Sequence, residues 1–227
     1  MAQRPSLVSS PQRGAISAAV LIAHGGRELG TAAPGRYSLA ALRMAPFATA
    51  LRRAPSARGL LIAQLRYRVR GYNDGDPVSD VVWGIDTISR EHGVPIVLVG
   101  HSMGARAALR AAGHSSVLAV AGLSPWCPPG EPVEQLADRS VMLVQGLADR
   151  WTLPAASRAY ALRARGVTQN LCRFEIAGSK HAMLQRARLW HQITRDFVLG
   201  VLGLGSLDER IADAFTLPSD RAVAVRL

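Results

Sequence analysis

At 227 residues and 48% hydrophobic, the chain is long enough to bury the core of one domain and needs no disulfide or metal to hold it. A formal net charge of +11 suits a polyanionic partner, but 26 of the 27 basic residues are Arg, scattered along the chain, and no nucleic-acid-binding motif accompanies them, so nucleic acid is not an expected partner. Cys127 and Cys172 stand 45 residues apart without the paired spacing of metal ligands, so no zinc site is expected and no other cofactor is implied.

Residues 1–14, with Pro5, Pro11 and several serines, read as a flexible leader, residues 15–200 as one domain, and residues 201–227 as a C-terminal extension. The apolar run at 15–23 follows Arg13 in the manner of a signal peptide. It is only nine residues long, however, and cleavage after it would delete a core strand. No segment approaches the roughly 18 apolar residues of a membrane span, so a cytoplasmic protein without membrane contact is the expectation. Nothing in the sequence bears on oligomeric state.

In chain order, residues 16–23 form a first strand, apolar enough to be buried on both faces, that ends at His24-Gly25-Gly26. A helix follows over 38–53, where Pro46 threatens a kink. The second strand, 59–66, runs into the basic and aromatic stretch 67–72 and the turn Asn73-Asp74-Gly75. A helix then opens at Asp76-Pro77, with Asp76 as N-cap, and reaches about residue 90. The third strand is the run through Ile96, Val97, Leu98 and Val99, stopped at Gly100, and a helix covers 105–112. A fourth strand at 117–123 leads into the irregular Ser124-Pro125-Trp126-Cys127-Pro128-Pro129 and a short helix at 131–137. The fifth strand is 140–145, the next helix 154–165, the sixth strand 171–176, and a long amphipathic helix runs over 183–200. Strands alternating with helices at this spacing imply βα units, right-handed crossovers and a doubly wound, mostly parallel six-stranded sheet with helices on both faces. In the extension, Leu207, Ile211 and Phe215 share one helical face, which could dock beside a cleft.

The third strand, the sharp turn Gly100-His101-Ser102-Met103-Gly104 and the helix after it have the form of a nucleophile elbow, with Ser102 at the apex. The plainer alternative is a Ser that caps the helix. Gly146-Leu147-Ala148-Asp149-Arg150 follows the fifth strand and Gly178-Ser179-Lys180-His181 the sixth. Together with His24-Gly25-Gly26, these motifs make residues 16–200 resemble a small α/β-hydrolase without a cap domain, a lidless serine hydrolase or esterase of dienelactone-hydrolase-like size.

The resemblance implies a sheet order 2-1-3-4-5-6 and the succession nucleophile, acid, histidine as Ser102, Asp149 and His181. The chemistry explains the residue types. A Ser hydroxyl needs an imidazole to take its proton, and the imidazole needs a carboxylate to fix its tautomer. Loops after parallel strands emerge at one sheet edge, so the three residues can converge. Asp149 also reads as the cap of the helix that follows Thr152, and His181 as an ordinary loop residue. The resemblance further implies an oxyanion hole from the backbone amides of Gly26 and Met103, while His24 orders its own loop.

The expected activity is cleavage of small carboxylic esters, with thioesters or small amides as related substrates, through an acyl-enzyme. The alternatives are a silent hydrolase-fold protein that binds a ligand or partner, and a C–C bond hydrolase. Tyr72, Trp126 and Trp151 are candidates for lining the substrate cleft. Arg66, Arg68 and Arg70 alternate in sequence and could share one face, either as an anion-attracting surface or as a solvated basic edge.

Overall fold

The computed structural model describes residues 4–9, 14–35 and 38–227. Six parallel strands form the centre of the molecule: β2 (Ala18–Ala23), β3 (Leu60–Arg66), β4 (Ile96–His101), β5 (Val117–Leu123), β6 (Ser140–Gly146) and β7 (Leu171–Ile176). Their order across the sheet is β3-β2-β4-β5-β6-β7, the arrangement expected for the six strands. Two edge strands raise the count among the described residues to eight. β1 (Ser6–Ser9) pairs antiparallel with β3, and β8 (Val225–Arg226) pairs parallel with β7.

The two central strands β2 and β4 are buried along their whole length because helices cover both faces. Side chains alternate accordingly. Ala19, Leu21 and Ala23 of β2 join a cluster with α2 (Asp76–His92), α3 (Met103–Ala111) and α4 (Pro154–Ala164). Val20 and Ile22 face the opposite cluster, built on α1 (Leu39–Arg52), α5 (Ala187–Val201) and α6 (Glu209–Thr216).

Several boundaries differ from expectation for physical reasons. α1 passes through Pro46 without ending, because Pro46 lies on the exposed side, where a missing amide costs least. The N-cap of α2 is Gly75, in left-handed conformation, and Asp76 is already helical. The segment 131–137 supplies only one 3₁₀ turn, Glu134–Leu136. α5 begins at Ala187 rather than 183, since Met183 and Arg186 have positive φ and the loop 179–186 forms its own hydrogen bonds. In that loop Ser179 Oγ donates to the Gln185 carbonyl, and Gln185 Oε1 accepts from the Lys180 amide.

Ser6–Ser9 of the leader and the C-terminal extension both join the sheet. Ser6–Ser9 is an edge strand in register with residues 63–66 of β3; residues 1–3 and 10–13 of the leader lie outside the described residues. The extension folds as α6, α7 (Ser219–Ala222) and β8, and it packs at the β7 end of the sheet, not over the elbow. Ile211 and Ala214 of α6 are fully buried. Two buried guanidiniums tie it down: Arg165 donates to the carbonyls of Phe215 and Leu217, and Arg173 to that of Val223. The apolar face read in the sequence is therefore core.

If the extension is core and not a lid, Ile211→Ala should cost about 2–5 kcal/mol of stability. Urea unfolding should register that loss, while kcat per folded molecule stays at the wild-type value. A lid would give the reverse pattern.

Candidate active site

Ser102 sits where β4 turns into α3, at φ 55°, ψ −117°, a conformation rare for a residue with a side chain. It makes no side-chain capping bond to α3, so the cap alternative loses its physical content. The strain is held by its surroundings. The Ser102 amide donates to the Leu123 carbonyl at 3.0 Å, and the Trp126 amide donates to the Ser102 carbonyl at 3.3 Å. A Cβ on Gly100 would stand 2.5 Å from the Ala105 Cα, and one on Gly104 would stand 2.4 Å from the Ala23 carbonyl oxygen. Strand, turn and helix close this tightly only because both positions are glycine.

The loops after β6 and β7 bring Asp149 and His181 together. His181 Nδ1 lies 2.9 Å from Asp149 Oδ2, with both side chains buried. A carboxylate there accepts the Nδ1 proton, which leaves Nε2 bare as a base. Burial pushes the Asp149 carboxyl upward. Hydrogen bonds from His181 and from the Thr152 and Trp151 amides outweigh that and hold it well below the usual carboxylate range. The two amide bonds, at 2.9 and 3.1 Å, make a turn that shapes the loop; α4 itself begins later, after Leu153.

Three residues of this network, Thr152, Gln145 and His101, have no role assigned by the motifs. The Thr152 hydroxyl lies 2.8 Å from Asp149 Oδ2, 3.1 Å from the Ser124 carbonyl and 3.2 Å from His181 Nδ1. Gln145 donates from Nε2 to Asp149 Oδ2 at 3.1 Å and to the Thr152 carbonyl. His101 donates from Nε2 to the His181 carbonyl at 3.0 Å, and the two rings lie 4.8 Å apart between centroids. Burial and then the neighbouring His181 lower the His101 pKa to about 3, so His101 is a neutral prop. A polar residue three positions after an acid in a short loop, as at Thr152, was the one available hint. Gly146 lets the two loops touch, since a Cβ there would meet the Ser179 carbonyl at 2.4 Å.

The His24-Gly25-Gly26 loop follows β2, the neighbour of β4. A Cβ on Gly25 would lie 3.4 Å from the Ser102 Cβ, and one on Gly26 2.4 Å from the Met103 Sδ, so this loop runs directly against the elbow. His24 is buried, edge-on to Tyr67, and bonded from Nδ1 to the neighbouring Gly25 carbonyl at 2.6 Å; burial lowers its pKa. The amide of Met103, first residue of α3, is one of the donors a helix N-terminus leaves unpaired.

The aromatic candidates separate. Tyr72 is 4% exposed and lies in the core, with its ring stacked under the Arg106 guanidinium and edge-on to Trp126. Arg106 is also 4.4 Å from the Trp126 ring and pairs with the buried Glu131, so Tyr72 and Trp126 belong to a packed cation–π assembly. For Tyr72 this overturns a cleft-lining role. Trp151 is 82% exposed, with its ring 5.2 Å from that of His181. Nor do Arg66, Arg68 and Arg70 form one face. β3 ends at Arg66, and Arg68 turns back to pair with Asp76 and Asp80 of α2.

A cleft of about 700 Å³ opens along the acid and histidine loops, lined among others by Arg43, Leu147, Trp151, Lys180 and His181. That volume lies within the range of small-molecule sites. No group of three or more metal-ligating side chains occurs among the described residues, and none of their helices is long and apolar enough to cross a membrane.

The model of the alpha/beta hydrolase family matches residues 19–225, and the chain belongs to that family. No curated protein matches it. Solved structures of similar fold include an alpha-beta serine hydrolase homologue from Coxiella burnetii, 15% identical over 84% of this chain and 90% of that one, with a TM-score of 0.63. An α/β serine hydrolase without lid from Xanthomonas campestris is 15% identical, over 86% and 94% of the two chains, with a TM-score of 0.63. Est1E from Butyrivibrio proteoclasticus, solved with ferulic acid bound, is 14% identical, over 88% and 96%, with a TM-score of 0.64.

The depressed Asp149 carboxyl carries a stability consequence with a definite sign. Its folded pKa is below its unfolded value near 3.9, so the stabilisation is complete above about pH 5 and drains as pH falls through the acid range. Unfolding measured at stepped pH should show a flatter acid limb for Asp149→Asn than for wild type.

Proposed function

We propose that this protein is a cofactor-independent serine hydrolase of small carboxylic esters, acting through Ser102, His181 and Asp149. The observation that carries the reading is the buried Asp149–His181 pair, held by the His101 bond beside a Ser in strained elbow geometry. A serine hydroxyl set in such a turn and left uncommitted to a helix cap is available for attack. Two of the similar structures are described as serine hydrolases, in keeping with this reading.

In the first half-reaction His181 Nε2 takes the Ser102 proton while Oγ bonds to the ester carbonyl carbon. The carbonyl oxygen becomes an oxyanion, stabilised by the backbone amides of Gly26 and Met103. Collapse breaks the carbon–oxygen bond to the alcohol, which leaves with the proton held by His181. Water then repeats the sequence on the acyl-enzyme, with His181 first taking and then returning a proton, and the carboxylic acid departs. Asp149 holds the imidazole tautomer throughout and stabilises the imidazolium. Thioesters and small amides fit the same steps.

A silent binding protein would keep the fold and lack turnover. On p-nitrophenyl butyrate the wild type should show steady turnover, Ser102→Ala should abolish it, and Asp149→Asn should lower kcat by about 10⁴. A parallel melting curve gives the control, because a merely structural Asp149 would lose stability and keep kcat. Undetectable turnover of short esters by the folded wild type would contradict the proposal.

A further inference from the structure

The cleft beside His181 is lined by three cations from three separate elements: Arg43 of α1, Arg150 of the loop after β6, and Lys180 of the loop after β7. None of the three side chains has an acidic or hydrogen-bonding partner among the described residues. The one carboxylate in the lining of this cleft is Asp149, whose oxygens already accept from Gln145, Trp151, His181 and twice from Thr152. Elsewhere this protein pairs its clustered guanidiniums: Arg68 with Asp80, Arg106 and Arg110 with Glu131, Arg173 with Glu175.

Unneutralised cations that converge on a concave wall raise the local concentration of anions there, and guanidinium forks match carboxylate geometry. Arg43 acts inward as well, since its charge is among those that keep His101 neutral. The exposed Trp151 ring, 5.2 Å from that of His181, supplies an apolar platform in the same cleft.

Building on the ester-hydrolase reading, we infer that the cleft binds a free carboxylate on the substrate, so that the preferred esters are anionic ones such as half-esters of short dicarboxylic acids. The free carboxylate pairs with Arg43, Arg150 and Lys180, the short apolar spacer lies along Trp151, and the ester carbonyl is delivered past His181 to Ser102. Hydrolysis then releases a dicarboxylic acid and an alcohol.

The test compares p-nitrophenyl hydrogen glutarate with neutral p-nitrophenyl valerate on the full-length protein. The half-ester should lead in kcat/KM by about tenfold or more, mainly through KM, and the lead should shrink as salt is raised toward about 0.5 M. Arg43→Gln, Arg150→Gln and Lys180→Gln should each cut the half-ester to valerate ratio severalfold. Removing two exposed charges at the opposite sheet edge, Arg58→Gln with Arg90→Gln, should leave that ratio unchanged. Calorimetric titration of Ser102→Ala with glutarate and with glutaramide reads binding without turnover. Binding of glutarate alone supports the cleft assignment even if neither ester is cleaved, an outcome that would sink the hydrolase reading instead. A ratio near one with no glutarate binding overturns the inference. So does a preference that the remote pair weakens as much as the cleft variants do.

Discussion

The backbone of Ser102, held at positive φ between β4 and α3, is the constraint on which the site depends. A conformation of this kind costs about 1–3 kcal/mol and persists only where the surroundings over-determine it. Here β4 lies between β2 and β5 with every residue buried, the Leu123 carbonyl of β5 takes the Ser102 amide, and Gly100 and Gly104 let α3 press onto the ends of β4 and β2. The same contact that closes the elbow brings the loop after β2 against it. The Gly25-Gly26 segment and the start of α3 are therefore fixed relative to each other before any substrate arrives.

Asp149 and His181 are positioned by a second close approach at the same sheet edge. Gly146 and Ser179 touch through their backbones, and the Trp190 indole holds the Ser179 hydroxyl from α5. Thr152 then links Asp149 to Ser124, at the end of β5, and His101 links the strand that leads into Ser102 to the His181 backbone. The four strands β4 to β7 thus converge on one imidazole. The bonds that shape the acid's loop and those that depress its pKa are the same bonds.

The central strands were legible in the sequence because parallel strands covered on both faces leave uninterrupted apolar runs, and the glycine motifs mark where each one ends. Their order was legible only through the family resemblance that the motifs carry. β1 and β8 escaped notice for opposite reasons: Ser6–Ser9 is mostly exposed and lacks alternation, and Val225–Arg226 is too short for any pattern. The apolar face of α6 was readable, but periodicity states that a face is buried and not against what. Tyr72 was misplaced because its partners, Arg106 and Glu131, are brought to it by tertiary packing alone. Arg68 leaves the face its alternation with Arg66 and Arg70 suggests because its partners, Asp76 and Asp80, are on α2 and reach it through tertiary packing. Thr152 and Gln145 are common polar residues whose role exists only once the loops are folded.

The account rests on Ser102 being a nucleophile made reactive by its setting. Reaction of the native protein with a fluorophosphonate, followed by peptide mass mapping, tests that directly. The account predicts a single adduct, on Ser102, formed rapidly in the wild type, slowly in His181→Ala, and at no other serine. An adduct on a different residue, or none on folded protein, would contradict it.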